Sequence, residues 1–183
     1  TVLPMLNEVY DNIYMNKPLF ERIKKVYDTR NESDLDSIQI RVVEKYYKEF
    51  ARNGALLNEA DQEKLREYNK EISLLKLSFG NNVLAETNEY KLVVDSIGDL
   101  AGLPETAIDA ASERAKKEGL DGKWLFTLHN ASIRPFLTYC DNHELRKQIY
   151  EAYTIRGNRD NANDNKQNVL KLTSLRAKRA RLL

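Results

Sequence analysis

Apolar residues recur at helical spacing along the first half of the chain. Positions three and four residues apart lie on one side of an α helix, so each such set predicts an amphipathic helix with its apolar face in a core. The four sets are Leu6, Val9, Tyr10 and Ile13; Leu19, Ile23, Val26 and Tyr27; Ile40, Val43, Tyr47 and Phe50; and Leu65, Tyr68, Ile72, Leu75 and Phe79.

Residues that favour helix starts precede three of these sets. Pro18 suits the first turn of the second helix, because proline needs no hydrogen-bond partner for its nitrogen there. Asp36 with Gln39 resembles a capping box for the third helix, and Asn58 can cap the fourth. Gly80 lies inside that fourth helix or near its end, so the sequence leaves its boundary open.

The periodicity then changes. Residues 89–95 and 123–128 are extended candidates separated by a helical stretch, and Asp141 with Glu144 resembles another capping box. Asp164 precedes a last helix. The sequence therefore predicts a mostly α fold, a single helical domain over 1–183, with at most a short two-stranded β ribbon around 89–95 and 123–128.

Composition agrees with a globular helical domain. The 183 residues suffice for one domain with a sizeable core, and seven Gly and four Pro are few. The charges nearly cancel, with 29 Lys and Arg against 28 Asp and Glu, and no apolar run approaches the roughly 18 residues of a membrane span. The chain lacks an initiator Met, which is typical of an excised piece, so we expect a longer parent.

One short motif comes close to a zinc-protease site. Such a site needs H-E-x-x-H on a helix, because positions i and i+4 place two imidazoles on one face. His143-Glu144 supplies the first half, but Lys147 stands where the second imidazole is needed, and His129 lies 14 residues upstream. An ammonium group repels a divalent cation, so the sequence predicts no metal site and no catalytic residue in this chain.

Two further features have ordinary explanations. Cys140 has no histidine at a diagnostic offset and is interpreted as a small apolar filler. The segment Lys171–Leu183 carries five basic residues and no acid, which allows a nucleic-acid contact but more often marks the solvated face of a helix. We therefore expect no nucleic-acid partner and no membrane association.

Six segments, in order, resemble the thimet-oligopeptidase family of zinc metallopeptidases, and within it the bacterial peptidyl-dipeptidases. The resemblance covers essentially the whole chain. The segments are DNIYMNKPLFERIKKVY (11–27), EKYYKEFARNGALL (44–57), FGNNVLAETNEYKLVVD (79–95), DLAGLPE (99–105), GKWLFTLHNASIRPFLTYCDNHELRKQIYEAYTIRGN (122–158) and DNKQNVLKLTSLRAKRARLL (164–183).

The resemblance implies a largely helical enzyme divided by a deep channel. It implies that the parent binds one zinc ion and hydrolyses short peptides, the peptidyl-dipeptidase branch removing dipeptides from free C-termini. The ligands of that zinc are expected well C-terminal to this chain. By this resemblance the chain is a non-catalytic part of the N-terminal half, inactive alone, that forms one wall of the channel and meets the missing C-terminal catalytic region.

Asn130 and Arg134 are the candidate channel-facing residues. They fall in a stretch, Leu128–Phe136, that is interpreted as an ordered loop between a strand and a helix, a common place for recognition groups. The alternative is that Arg134 pairs with a carboxylate or shapes the turn before Pro135.

For the chain as a whole, the alternative function is a stand-alone helical scaffold that binds other proteins. The expected compartment is the cytoplasm, with the periplasm as the alternative.

Overall fold

The computed structural model describes residues 2–183, which form eight α helices, a two-stranded sheet and one 3-10 turn. The prediction of a mostly α fold with a short β ribbon is confirmed. In chain order the elements are α1 (Val2–Tyr14), α2 (Lys17–Thr29), α3 (Ser37–Arg52), α4 (Glu59–Glu89), β1 (Leu92–Val94), the 3-10 turn (Ile97–Leu100), α5 (Glu105–Lys117), β2 (Trp124–Phe126), α6 (Asn130–Tyr139), α7 (His143–Thr154) and α8 (Lys166–Leu182).

The predicted helix starts are confirmed at α3 and α4. The Asp36 carboxylate accepts hydrogen bonds from two amides of the first turn of α3, and the Gln39 side chain accepts one from the Asp36 amide in return. Asn58 Oδ1 accepts from the amide of Asp61 at 2.9 Å. These side chains satisfy backbone amides that the helix itself leaves without a partner. Gly80 lies inside α4, which continues to Glu89.

The chain forms two compact units. The first contains the chain up to Ser78 together with Asn168–Leu183, and the second is Phe79–Gln167. The prediction of one domain over 1–183 stays a prediction. None of the helices within residues 2–183 is long and apolar enough to cross a membrane.

Aromatic rings form the core of the first unit. Phe20 and Phe50 are buried and stack at 6.2 Å between ring centroids, and Tyr14 meets Phe50 edge to face at 5.0 Å. In contrast, α1 contributes no fully buried residue. Its apolar stripe, predicted to lie in a core, is exposed: the exposed fractions are 54% for Val9 and 44% for Ile13. Nothing in residues 2–183 covers this stripe, so the prediction of a buried face is wrong for α1.

The second unit is built around the two strands. They pair antiparallel, with Leu92 opposite Phe126 and Val94 opposite Trp124. Phe126 packs edge to face on Phe136 of α6 at 4.5 Å, and both are essentially inaccessible to solvent. The strands are shorter than predicted, but the helices of this unit supply the apolar partners that two isolated strands lack.

Candidate functional site

Asn130 and Arg134 lie on a helix, not on a loop. α6 begins at Asn130, and the carbonyl of His129 accepts hydrogen bonds from the amides of Ser132 at 2.8 Å and Ile133 at 3.0 Å. The buried hydroxyl of Ser132 accepts from the amide of Thr127, one residue past β2. The predicted loop over Leu128–Phe136 is therefore wrong, because the chain turns directly from the strand into the helix.

The helical geometry places Asn130 and Arg134 together. They are at positions i and i+4, so they lie on one face of α6, and both are exposed. Among the described residues Arg134 has no ion-pair partner, so the alternative in which it pairs with a carboxylate is not what the structure shows. The guanidinium is able to donate hydrogen bonds to a carboxylate or to peptide carbonyls.

The HELRK segment lies at the start of α7. His143 is the first residue of that helix and is exposed, and its Nδ1 lies 3.4 Å from Nη2 of Arg146. Arg146 and Lys147 line the same shallow depression as His143, so a cation there would meet two positive charges. Within residues 2–183 there is no group of three or more His, Cys, Asp or Glu side chains that could hold a metal ion. The residues present do not fit a zinc centre.

The start of α7 differs from the predicted capping box. Asn142, and not Asp141, is the capping residue: its Oδ1 accepts from the amide of Leu145 at 3.1 Å and its Nδ2 donates to Asp99 at 3.0 Å. The Asp141 amide instead donates to the carbonyl of Ala101. The predicted box partnership of Asp141 and Glu144 is wrong, because this tertiary bond moves the helix start by one residue.

Cys140 is buried, as its interpretation as a small apolar filler predicts. Its residue exposure is 1%, and its thiol donates to the carbonyl of Asp99 at 3.5 Å. Burial raises the pKa of the Cys140 thiol above its usual value. Since the thiolate is the nucleophilic form, this cysteine is poorly suited to attack a substrate.

One buried carboxylate, on α4, was not predicted from the sequence. Glu86 is only 2% exposed. Its Oε2 accepts from the amide of Gly157 at 2.7 Å and its Oε1 from Asn161 at 2.8 Å, while Nε of Arg159 lies 3.6 Å away. The carboxylate therefore ties α4 to the loop that follows α7.

The next residue along α4 holds the same loop. Nη1 of Arg156 donates to the Thr87 hydroxyl at 2.7 Å, and the guanidinium lies 3.7 Å from the centre of the Tyr153 ring. The sequence did carry a signal for Glu86: the stripe of Ile72 and Leu75 continues through Phe79 and Asn82 to position 86. It is visible only if the helix continues past Gly80. The side chains of Glu86 and Thr87 are hydrogen-bonded to groups of this same chain. We therefore interpret them as a structural anchor and not as a binding site.

Comparison with known proteins points to one family, although no family model matches the chain. The dipeptidyl carboxypeptidase of Escherichia coli K12 is 36% identical over 178 residues, which are 97% of this chain and 26% of that protein. Oligopeptidase A of Haemophilus influenzae is 32% identical over 187 residues, covering 100% of this chain and 27% of that protein. Oligopeptidase A of Escherichia coli K12 is 31% identical over 185 residues, 99% of this chain and 27% of that protein.

The chain thus spans about a quarter of the length of the relatives it matches. The similarity is not confined to one motif but extends through both compact units. The chain therefore belongs to the family of the dipeptidyl carboxypeptidases and oligopeptidases A, the thimet-oligopeptidase-like peptidases.

Proposed function

We propose that this chain is a non-catalytic, helical portion of a zinc-dependent peptidase that hydrolyses short peptides and removes dipeptides from their C-termini. The observation that carries the proposal is similarity over 97% of the chain to 26% of a dipeptidyl carboxypeptidase. We propose that the zinc and its ligands lie in the rest of the parent; the two cations beside His143, Arg146 and Lys147, disfavour a metal ion at that position. No step of hydrolysis is assigned to a residue of this chain.

The surface of α1 supports the proposed partner, the C-terminal catalytic region of the parent. Seven of its apolar residues are exposed at fractions between 42% and 69%: Val2, Leu3, Met5, Leu6, Val9, Tyr10 and Ile13. A contiguous apolar surface of this kind is typical of a contact with other protein. Contact with the rest of the parent accounts for the apolar character of this helix, whose stripe is left exposed within residues 2–183.

We further propose that Asn130 and Arg134 face the substrate channel, of which this chain forms one wall. Their shared, exposed face on α6 and the absence of an ion-pair partner for Arg134 among residues 2–183 support this placement. In the parent, Arg134→Ala is expected to lower kcat/KM for peptides, with Lys147→Ala on the exposed side of α7 as the control. Equal kcat/KM values for Arg134→Ala and the unmodified parent would refute the role of Arg134.

The activity itself is tested by dipeptide release. The parent protein and the 183-residue chain are incubated with N-terminally blocked tetrapeptides, and the products are identified by mass spectrometry. The expected result is release of the C-terminal dipeptide by the parent in a chelator-sensitive way, and no product from the chain alone. Hydrolysis by the chain alone, or an inactive parent with bound zinc, would refute the proposal.

The cytoplasm remains the proposed compartment, with the periplasm as the alternative.

A further inference from the structure

The solvent side of α3 carries a line of four cations. Arg41, Lys45, Lys48 and Arg52 are all exposed, and we call them the basic stripe. At about 100° and 1.5 Å per residue, they lie within about 60° of one another around the helix and extend over about 16 Å. They also line one shallow depression on the surface of the first unit, with a volume of about 540 Å³.

The cations of the basic stripe form no ion pair with the described part of the chain. Within residues 2–183 no carboxylate lies within ion-pair distance of any member of the basic stripe. The two acids that border it are engaged elsewhere. Glu44 receives Nε of Arg30 at 3.2 Å, and Glu49 accepts the Tyr14 hydroxyl at 2.6 Å. The local excess of positive charge contrasts with a formal net charge of only +1 for the whole chain.

An apolar stripe runs beside the basic one. Ile38, Val42 and Tyr46 are spaced at i, i+4 and i+8, and their exposed fractions are 73%, 47% and 53%. The opposite side of α3 is the one that enters the core, where Tyr47 stacks on Phe20 and Phe50 is buried. The helix thus has an inward face and, on its solvent side, adjacent apolar and basic stripes.

We propose that this surface of α3 binds an acidic polypeptide segment that presents apolar side chains next to its carboxylates. Such a segment neutralises the basic stripe and covers the apolar one in the same contact. A nucleic acid would pair its phosphates with the cations but would leave Ile38 and Val42 exposed to water. An anionic bilayer needs the apolar residues at the centre of the exposed arc with cations on both sides, whereas here the cations lie on one side only.

The probe is a labelled, helix-forming peptide of Glu and Leu, titrated with the 183-residue chain while fluorescence anisotropy is recorded. The test variant is Arg41→Gln, Lys45→Gln and Lys48→Gln combined. The matched control removes three exposed cations of α8, Lys171→Gln, Arg176→Gln and Lys178→Gln, so the change in net charge is the same. Because all six side chains are exposed, circular dichroism of both variants is expected to match that of the unmodified chain.

The proposal predicts that the α3 variant weakens peptide binding about tenfold or more at low salt, whereas the α8 variant changes it about twofold or less. Val42→Ser alone, which leaves all charges in place, should also weaken binding. Equal losses in the α3 and α8 variants would mean a non-specific charge effect and would overturn the proposal. Tighter binding of a short DNA duplex, or of phosphatidylserine vesicles, with loss in the α3 variant would overturn it as well.

Discussion

The buried carboxylate of Glu86 is predicted to stabilise the second unit by holding the loop that follows α7. Glu86→Ala removes the acceptor of two hydrogen bonds, from the amide of Gly157 and from Asn161, and leaves the buried Gly157 amide without a partner. Hydrogen bonds to a charged group contribute about 1.5–3 kcal/mol each, so the two together amount to about 3–6 kcal/mol. Removing the carboxylate also relieves the cost of having desolvated it, which offsets part of this sum.

The net loss expected for Glu86→Ala is about 3 kcal/mol in the free energy of unfolding, at the lower end of the roughly 3–5 kcal/mol typical of a broken buried ion pair. Glu86→Gln keeps the shape and one acceptor, and Asn161 can turn its amide to match the new NH2 group, so about 1 kcal/mol is expected. Glu89→Ala, at the exposed end of the same helix, is the matched control and should change stability by about 0.5 kcal/mol or less.

The assay is urea denaturation followed by the fluorescence of Trp124, the only tryptophan, which lies on β2 beside the core of the second unit. Unfolding free energies of the four proteins are compared at equal slope with denaturant, so that a shifted midpoint reports stability. If Glu86→Ala were no less stable than Glu89→Ala, the carboxylate would not anchor the loop that follows α7. A Glu86→Gln variant as unstable as Glu86→Ala would show that charge, and not hydrogen bonding, holds the loop.

Three further predictions use the same chain. Asp36→Ala, which removes the side chain that caps α3, should cost about 1 kcal/mol by urea denaturation followed with circular dichroism, and an unchanged midpoint would contradict the capping geometry. Gly102→Ala should lower the free energy of unfolding by about 3 kcal/mol or more, because its Cβ would overlap the carbonyl oxygen of Tyr139. Gly119 also has positive φ but open space around it, so Gly119→Ala should lower the free energy of unfolding by only about 1 kcal/mol. Both variants are measured by the same Trp fluorescence assay, and equal losses would contradict the close approach at Gly102. Cys140 should react with a thiol reagent at about pH 8 far more slowly in the folded chain than in urea, since it is buried and its pKa is raised, and equal rates would contradict its burial.

Local patterns predicted the helices well where the sequence itself supplies both the stripe and the cap. The capping box at Asp36 works from side chains within one helical turn, so it can be recognised without the fold. The start of α7 could not be recognised from local sequence, because it depends on the hydrogen bond between Asp141 and Ala101, which are 40 residues apart. The exposed stripe of α1 shows the other limit: periodicity identifies an apolar face but not what covers it.

The sequence did not predict α6 as a helix, and the physical reason lies in its residues. Pro135 lies inside the helix and cannot donate the i to i−4 hydrogen bond, and the side chain of His129 does not cap the start. The helix is instead held by tertiary packing, since Ile133 and Phe136 are almost completely buried. Asn130 and Arg134 are exposed polar groups, as expected, but they lie on a helix and not on a loop, and their role in the channel stays a prediction.

The zinc content of the 183-residue chain, determined by elemental mass spectrometry after dialysis against dilute metal, decides whether this part of the peptidase is non-catalytic. If every zinc ligand lies in the rest of the parent, as proposed, this chain should hold no stoichiometric zinc. One zinc ion per chain would mean that His129, His143 and another donor converge in solution, and it would contradict the assignment of this chain to the non-catalytic part of the peptidase.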